Sequence, residues 1–245
     1  MATRAVHIVV DAADPSGLAA FWAAALGWEL AADEPDEAVV APPGFDYPNP
    51  EALPLVFVPV RDQKTAKNRI HLDLATTSDE HQAAEVGRLL AVGATRADIG
   101  QSTVPWEVLA DPEGNEFCVL EPRQVYLDAR PIAAVVIDSA DPEAGARFWA
   151  IAAGWKVHES DPEFASLRAA EGTGPYLELL RNPDAKTAKN RIHLDVAPPH
   201  EGDMQAEAHR LQAVGAVPAD VGQGDATWVV LADPEGNEFC VLSPR

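Results

Sequence analysis

Cations are scarce in this chain: 18 lysines and arginines stand against 39 aspartates and glutamates, a formal charge of −21 over 245 residues. Such a surface repels phosphate backbones and anionic lipid, so nucleic acid and membrane surfaces are poor partners, whereas a cationic ligand would be attracted. Long apolar runs are also missing. No stretch approaches the ~20 residues of a membrane span, and the opening MATRAVHIVVDAADP lacks the apolar segment and cleavage pattern of a signal peptide. The expectation is a cytoplasmic protein. Cysteine is nearly absent, with only Cys118 and Cys240, which argues for two free thiols in a reducing compartment and against a disulfide framework. No Ser-His-Asp ordering, phosphate-cradling glycine loop or dinucleotide fingerprint occurs, so hydrolase and nucleotide-cofactor readings have no support.

What is present is repetition. The segment KTAKNRIHLD, Lys64 to Asp73, recurs letter for letter at Lys186 to Asp195, and VLADPEGNEFCVL, Val108 to Leu120, recurs at Val230 to Leu242. Both pairs lie 122 positions apart, and one offset shared by two blocks makes the chain one domain written twice. Phe21-Trp22 with Gly27-Trp28 answers Phe148-Trp149 with Gly154-Trp155 at a spacing of 127, so the first copy carries five extra residues. Their expected place is Ala41 to Pro54, a proline-rich stretch read as a long surface loop or lid. The domains are expected at 1–123 and 131–245, with the boundary in Arg123 to Arg130.

A fainter repeat lies inside each copy. His7 to Asp11 alternates as a half-buried strand, Asp14-Pro15 supplies an N-cap and a first-turn proline, and Leu18, Phe21, Trp22, Ala25 and Leu26 follow at helical spacing up to Gly27. Ile70 to Ala75 restarts the pattern, with a helix through Val86 and Leu89 and a stop at Gly93. Short strand candidates follow each glycine, and Asp111 to Asn115 reads as the hairpin turn before the last strand. Each domain is therefore two βαβββ modules. Trp22 and Trp149 read as core.

Paired βαβββ modules, a strand histidine, FWxxxLGW on the first helix and DPEGNEF before the last strand together resemble the vicinal oxygen chelate superfamily. This is the group of glyoxalase I, extradiol dioxygenases and bleomycin-resistance proteins. The resemblance is to its glyoxalase-like domain branch, common in actinobacteria. It implies an α+β fold of tandem glyoxalase-like domains, with curved mixed sheets forming cups and helices on the convex side. It also implies divalent-metal ligands on the first and fourth strands of each module: His7, His71, Ala134 and His193, then Val56, Cys118, Glu178 and Cys240. Alanine and valine cannot ligate, and cysteine stands where family enzymes place glutamate.

Pairing within a domain would give His7, His71 and Cys118 in one cup and Glu178, His193 and Cys240 in the other. Pairing across domains, as in glyoxalase dimers, would give His7, His193 and Cys240, then His71, Cys118 and Glu178. No set holds two histidines and a carboxylate, the usual requirement for oxygen chemistry at Fe(II). Strand alternation puts Arg69, His71 and Asp73 on the cup face and Ile70, Leu72 and Leu74 on the helix face. Imidazole with thiolate suits zinc or another borderline-soft ion, whereas magnesium, calcium or manganese would want oxygen ligands; the resemblance leaves zinc, iron, nickel and manganese as the candidates. Without a metal, Asp73 would fix His71 and Asp195 would fix His193 by hydrogen bonding.

Trp106 and Trp228 open strands able to line the cups. Arg69 and Arg191, with neighbouring lysines, stand beside them as anion binders or as partners of surface carboxylates. Two functions compete. One is an enzyme, a lyase, isomerase or dioxygenase on a small oxygenated metabolite, with catalytic roles for Glu178, His71 and His193. The other is metal-free capture of a cationic small molecule of the bleomycin-resistance type. The centre is expected in the cup holding Glu178, because a carboxylate in an apolar cup is costly without a role. The assembly is expected to be a monomeric pseudo-dimer or a homodimer.

Overall fold

The computed structural model describes residues 3–101, 103–129 and 131–245. The first repeat contains β1 (Arg4–Ala12), α1 (Pro15–Leu26), β2 (Glu29–Glu34), β3 (Glu37–Ala41), β4 (Leu55–Pro59), β5 (Ile70–Leu74), α2 (Asp79–Ala91), β6 (Thr95–Arg96), β7 (Glu107–Ala110) and β8 (Glu116–Val119). A short 3-10 turn, Gln124–Tyr126, lies in the linker, whose Arg130 falls outside the described residues. The second repeat contains β9 (Ile132–Ser139), α3 (Pro142–Ala152), β10 (Lys156–Ser160), β11 (Phe164–Arg168), β12 (Tyr176–Arg181), β13 (Ile192–Ala197), α4 (Met204–Ala213), β14 (Val217–Pro218), β15 (Val229–Ala232) and β16 (Glu238–Val241).

The strands form two open, mixed sheets of eight, in the orders β14-β15-β16-β13-β1-β4-β3-β2 and β10-β11-β12-β9-β5-β8-β7-β6. Modules therefore pair across the repeats. The first module joins the fourth through antiparallel β1 and β13, with Val9 opposite His193, and the second joins the third through β5 and β9, with His71 opposite Val136. Each eight-stranded sheet takes four strands from each repeat. Helices α1 and α4 pack on the first sheet, α2 and α3 on the second.

Local chemistry explains why the long repeated blocks are needed. The Asp14 side chain caps α1 by accepting from Gly17 N, Pro15 opens the helix, and Gly27 closes it at φ 65, a backbone region that only glycine enters without strain. The DPEGN turn then locks that helix from the neighbouring module. Asp111 accepts from the Trp22 indole at 3.2 Å, and Glu113 accepts from Ala13 N and Asp14 N at 2.7 and 2.8 Å, an anion at a helix N-terminus. Asp233 and Trp149 repeat the contact at 3.2 Å, and Glu235 repeats the helix-end contact on Ala140 N and Asp141 N. Trp22 and Trp149 are core, as expected.

The crossover segments 62–69 and 184–191 pass each other between the sheets. Arg69 Nη1 donates to the Asp184 carbonyl and Arg191 Nη1 to the Asp62 carbonyl, so each arginine holds the opposite crossover.

Candidate functional site

Register decides which residues meet. In β5, Ile70, Leu72 and Leu74 are buried on the helix side, so His71 and Asp73 face the concave side. There they line a cavity of about 280 Å³ together with Cys118, Glu178, Tyr126 and Trp106. This second cup is the set expected for pairing across domains, with two additions.

Tyr126 is the first addition, brought from the linker turn. Its hydroxyl donates to Glu178 Oε1 at 2.6 Å. Burial raises the Glu178 carboxyl above its usual range, and the tyrosine bond offsets this only in part. Burial, then the Glu178 charge, pushes the Tyr126 phenol up as well. The second addition is Asp73 as a member of the site. Burial first and Glu178 second push its carboxyl up to about 7. Burial, with Lys67 next, lowers His71 to about 4, so its imidazole is neutral at physiological pH. Burial, with the Asp73 carboxylate beside it, also raises the Cys118 thiol. Arg123 stands at the mouth, its guanidinium 5.7 Å from the Trp106 ring and 5.8 Å from the Tyr126 ring.

The first cup gathers His7, His193, Asp195 and Cys240. His7 Nδ1 lies 3.1 Å from Asp195 Oδ2. A carboxylate accepts, so Nδ1 donates to Asp195, and Nε2 is hydrogen-bonded to the Tyr47 hydroxyl. Tyr47 comes from the extra residues of the first copy, packs edge-on against Phe45 at 4.9 Å, and lies under the Arg245 guanidinium at 5.8 Å. Burial pushes its phenol up to about 12 and lowers His193.

Asp195 Oδ1 is 3.6 Å from His193 Nε2, so two histidines and a carboxylate do converge here. The expectation that no cup holds that set is corrected. The sequence expectation gives Asp195 the role of orienting His193 alone, and β1 brings His7 to its other oxygen. Val56 and Ala134 occupy the apolar positions expected of them and are buried. Trp106 lines the second cup, whereas Trp228 is 42% exposed. Arg69 and Arg191 line a groove of about 420 Å³ between the crossovers rather than either cup. The lysines are paired: Lys64 with Glu116 and Lys67 with Asp138, each at 2.8 Å, Lys186 with Glu238 at 2.6 Å, and Lys189 with Asp11.

The donors present fit a divalent ion. Among the described residues, His71, Asp73 and Cys118 lie within 4.8 Å of one another, as do His193, Asp195 and Cys240. Asp73 Oδ1 and Asp195 Oδ1 are buried without a hydrogen-bond partner, and a buried carboxylate oxygen without a partner calls for a positive group. Both cysteines are buried free thiols. No helix among the described residues is long and apolar enough to cross a membrane.

A family model described as glyoxalase-like domain matches residues 7–120 and again 134–242. No curated protein matches. Among solved structures the chain is similar to glyoxalase I from Zea mays, with TM-score 0.67, 18% identity, and 99% of this chain and 92% of that chain covered. It is also similar to a putative dioxygenase from Bacillus subtilis, with TM-score 0.62, 13% identity, and 98% and 84% covered. At these identities the likeness shows the fold alone.

Proposed function

This chain belongs to the glyoxalase-like domain family, and from that premise we propose that it is an enzyme of the lyase or isomerase kind, acting on a small oxygenated metabolite in the second cup. The observation that supports this reading is Glu178. The residue is 5% exposed and lines the cavity of about 280 Å³, and its carboxyl is raised by burial while held by one phenol. A carboxyl raised above its usual range is a stronger base than a solvated one.

In this reading Glu178 takes the proton from the carbon beside the substrate carbonyl and returns it to the neighbouring carbon. Tyr126 holds the base in position. His71, neutral throughout, donates a hydrogen bond to the oxygen on which charge develops, the arrangement that needs no change in its own protonation. Arg123 at the mouth offers a positive group to an anionic substituent. A bound zinc, iron, nickel or manganese ion would polarise the same oxygen as a Lewis acid in place of the imidazole. Dioxygenase chemistry receives less support, because the cup with two histidines has both His7 nitrogens engaged.

The test incubates the full chain with small α-hydroxy and α-oxo carbonyl compounds in deuterium oxide and follows exchange beside the carbonyl by NMR. Exchange that falls about 100-fold in Glu178→Gln supports the reading; equal exchange in the variant and the parent overturns it. One observation favours capture of a cation as the second reading: Asp73 and Glu178 share an aromatic-walled cup. Saturable quenching of tryptophan fluorescence by a quaternary ammonium, without exchange or turnover, would select it.

A further inference from the structure

The blocks that recur letter for letter set a histidine, an aspartate and a cysteine together twice. We infer that each triad, His71 with Asp73 and Cys118 and His193 with Asp195 and Cys240, is a three-donor site for a zinc-like ion, so that the chain binds two such ions. Each ion is held by a single module. This differs from the ligand pattern that the resemblance implies, in which both modules of a cup contribute from first and fourth strands. Here the carboxylate two residues along the first strand supplies a third donor from the same module.

Distances carry the inference. His71 Nε2 is 3.5 Å from Asp73 Oδ1, His193 Nε2 is 3.6 Å from Asp195 Oδ1, and Cys240 Sγ is 3.5 Å from His193 Nε2. The two nitrogen–oxygen separations exceed the ~2.7–3.2 Å of a good N–H···O bond. They match the edges of a tetrahedron around zinc, roughly 3.4 Å for nitrogen to oxygen and roughly 3.6 Å for nitrogen to sulfur, given the usual ion–donor lengths. The oxygens on those edges, Asp73 Oδ1 and Asp195 Oδ1, are buried without a hydrogen bond of good geometry, and among the described residues the only other donors beside the same aspartates on this wall are the Cys118 and Cys240 thiols, which an ion would deprotonate. Neutral imidazole, carboxylate and thiolate make a mixed nitrogen, oxygen and sulfur set suited to zinc rather than to magnesium or calcium.

The pattern of divergence agrees. The other wall of each cup differs between the copies, with His7 against Ala134 and Val56 against Glu178, while all six triad residues lie inside the identical blocks. Binding is balanced by loss of one thiol proton per ion to solvent, with no redox step. The inference stands apart from the catalytic reading, since it requires neither Glu178 nor turnover.

The test uses the reduced full chain without a histidine tag, stripped with a chelator and titrated with zinc against a metallochromic indicator. Two zinc ions per chain are expected, falling to one in Asp73→Asn, one in Asp195→Asn and none in the double variant. Glu178→Gln keeps two, which separates this outcome from failure of the proposed catalysis. Cobalt(II) should show a sulfur-to-cobalt charge-transfer band that Cys118→Ser halves, a readout that holds even if an aspartate variant does not fold. A parent stoichiometry other than two, unchanged stoichiometry in either aspartate variant, loss of an ion in Glu178→Gln, or a cobalt spectrum without the sulfur band would each overturn the inference.

Discussion

The two cups share one wall and differ in the other. On the shared wall stand the same histidine, aspartate and cysteine and, at the rim, Arg123 and its equivalent Arg245, 122 positions on. On the differing wall the first cup has His7 and Val56, and the second has Ala134 and Glu178. Each cup thus buries one polar residue that the other lacks, and each meets it with a tyrosine hydroxyl. Tyr47 serves His7 and Tyr126 serves Glu178, and both rings lie 5.8 Å from the equivalent arginine. The tyrosines come from unrelated segments, a loop between β3 and β4 and the linker after β8. A buried polar group must be partnered, and in a duplicated chain the unrepeated segments were free to supply the partner. The outcome is unequal: His7 has both nitrogens engaged, whereas Glu178 keeps a face on the cavity.

If the shared wall is equivalent in both cups, ion binding should stabilise them equally. Zinc at a thousandfold excess over its dissociation constant is expected to add about 4 kcal/mol per site, read as a rise in melting temperature over the chelated protein. In Asp73→Asn or Asp195→Asn the rise should halve. A rise lost entirely in one variant and untouched in the other would make the shared wall unequal and break the comparison.

The differing wall is probed by activity. Glu178→Gln is expected to lower turnover about 100-fold, equivalent to about 2.7 kcal/mol of barrier, while His7→Ala changes it less than about threefold. The reverse ranking would move the working centre to the first cup.

Much of this was legible in the sequence, for identifiable reasons. The cap and proline of α1, the terminal glycine and the turn from Asp111 to Asn115 are local chemistry, and they sit where the spacing put them. Strand β1 runs longer than the His7 to Asp11 core because it is paired on both sides, by β13 and β4. The pairing of modules could not be read, because β5 and β13 offer β1 the same IHLD edge; only the tertiary arrangement distinguishes two identical partners. Tyr47 and Tyr126 lie in segments without periodicity, so nothing in their neighbourhood pointed to a cup. Asp73 and Asp195 did leave a signal, the unchanged His-x-Asp pair. The hydrogen bonds expected within each pair are longer than good geometry allows, at 3.5 and 3.6 Å, which only the structure shows.

The tyrosines give the next contrast. Tyr126→Phe removes the phenol from a buried carboxyl and should cost about 2 kcal/mol of unfolding free energy, since hydrogen bonds to charged groups contribute about 1.5–3. Tyr47→Phe removes the hydroxyl from an imidazole that keeps its bond to Asp195, and about 1 kcal/mol is expected. Urea unfolding of both variants in chelator measures the difference. Equal losses would mean that Glu178 is neutral in the folded protein and gains no more from its phenol than His7 does.

The smallest expected effect tests the repeat outside the cups. Lys67 and Lys189 are equivalent, are about one-third exposed, and pair with the equivalent Asp138 and Asp11. Surface ion pairs contribute little, about 0–1 kcal/mol, yet both aspartates are buried, so removing either lysine strands a carboxylate. The strandings are not equal. Asp138 also accepts from Asn182 Nδ2 at 2.9 Å, whereas Val60 stands at the position equivalent to Asn182 and offers Asp11 no side-chain donor. Lys189→Met should therefore destabilise by about 1 kcal/mol more than Lys67→Met, the worth of one retained hydrogen bond. Replacing Asn182 with valine in the Lys67→Met background should erase the gap. A gap that survives this replacement would show that the two halves differ through something other than the one side chain that separates them here.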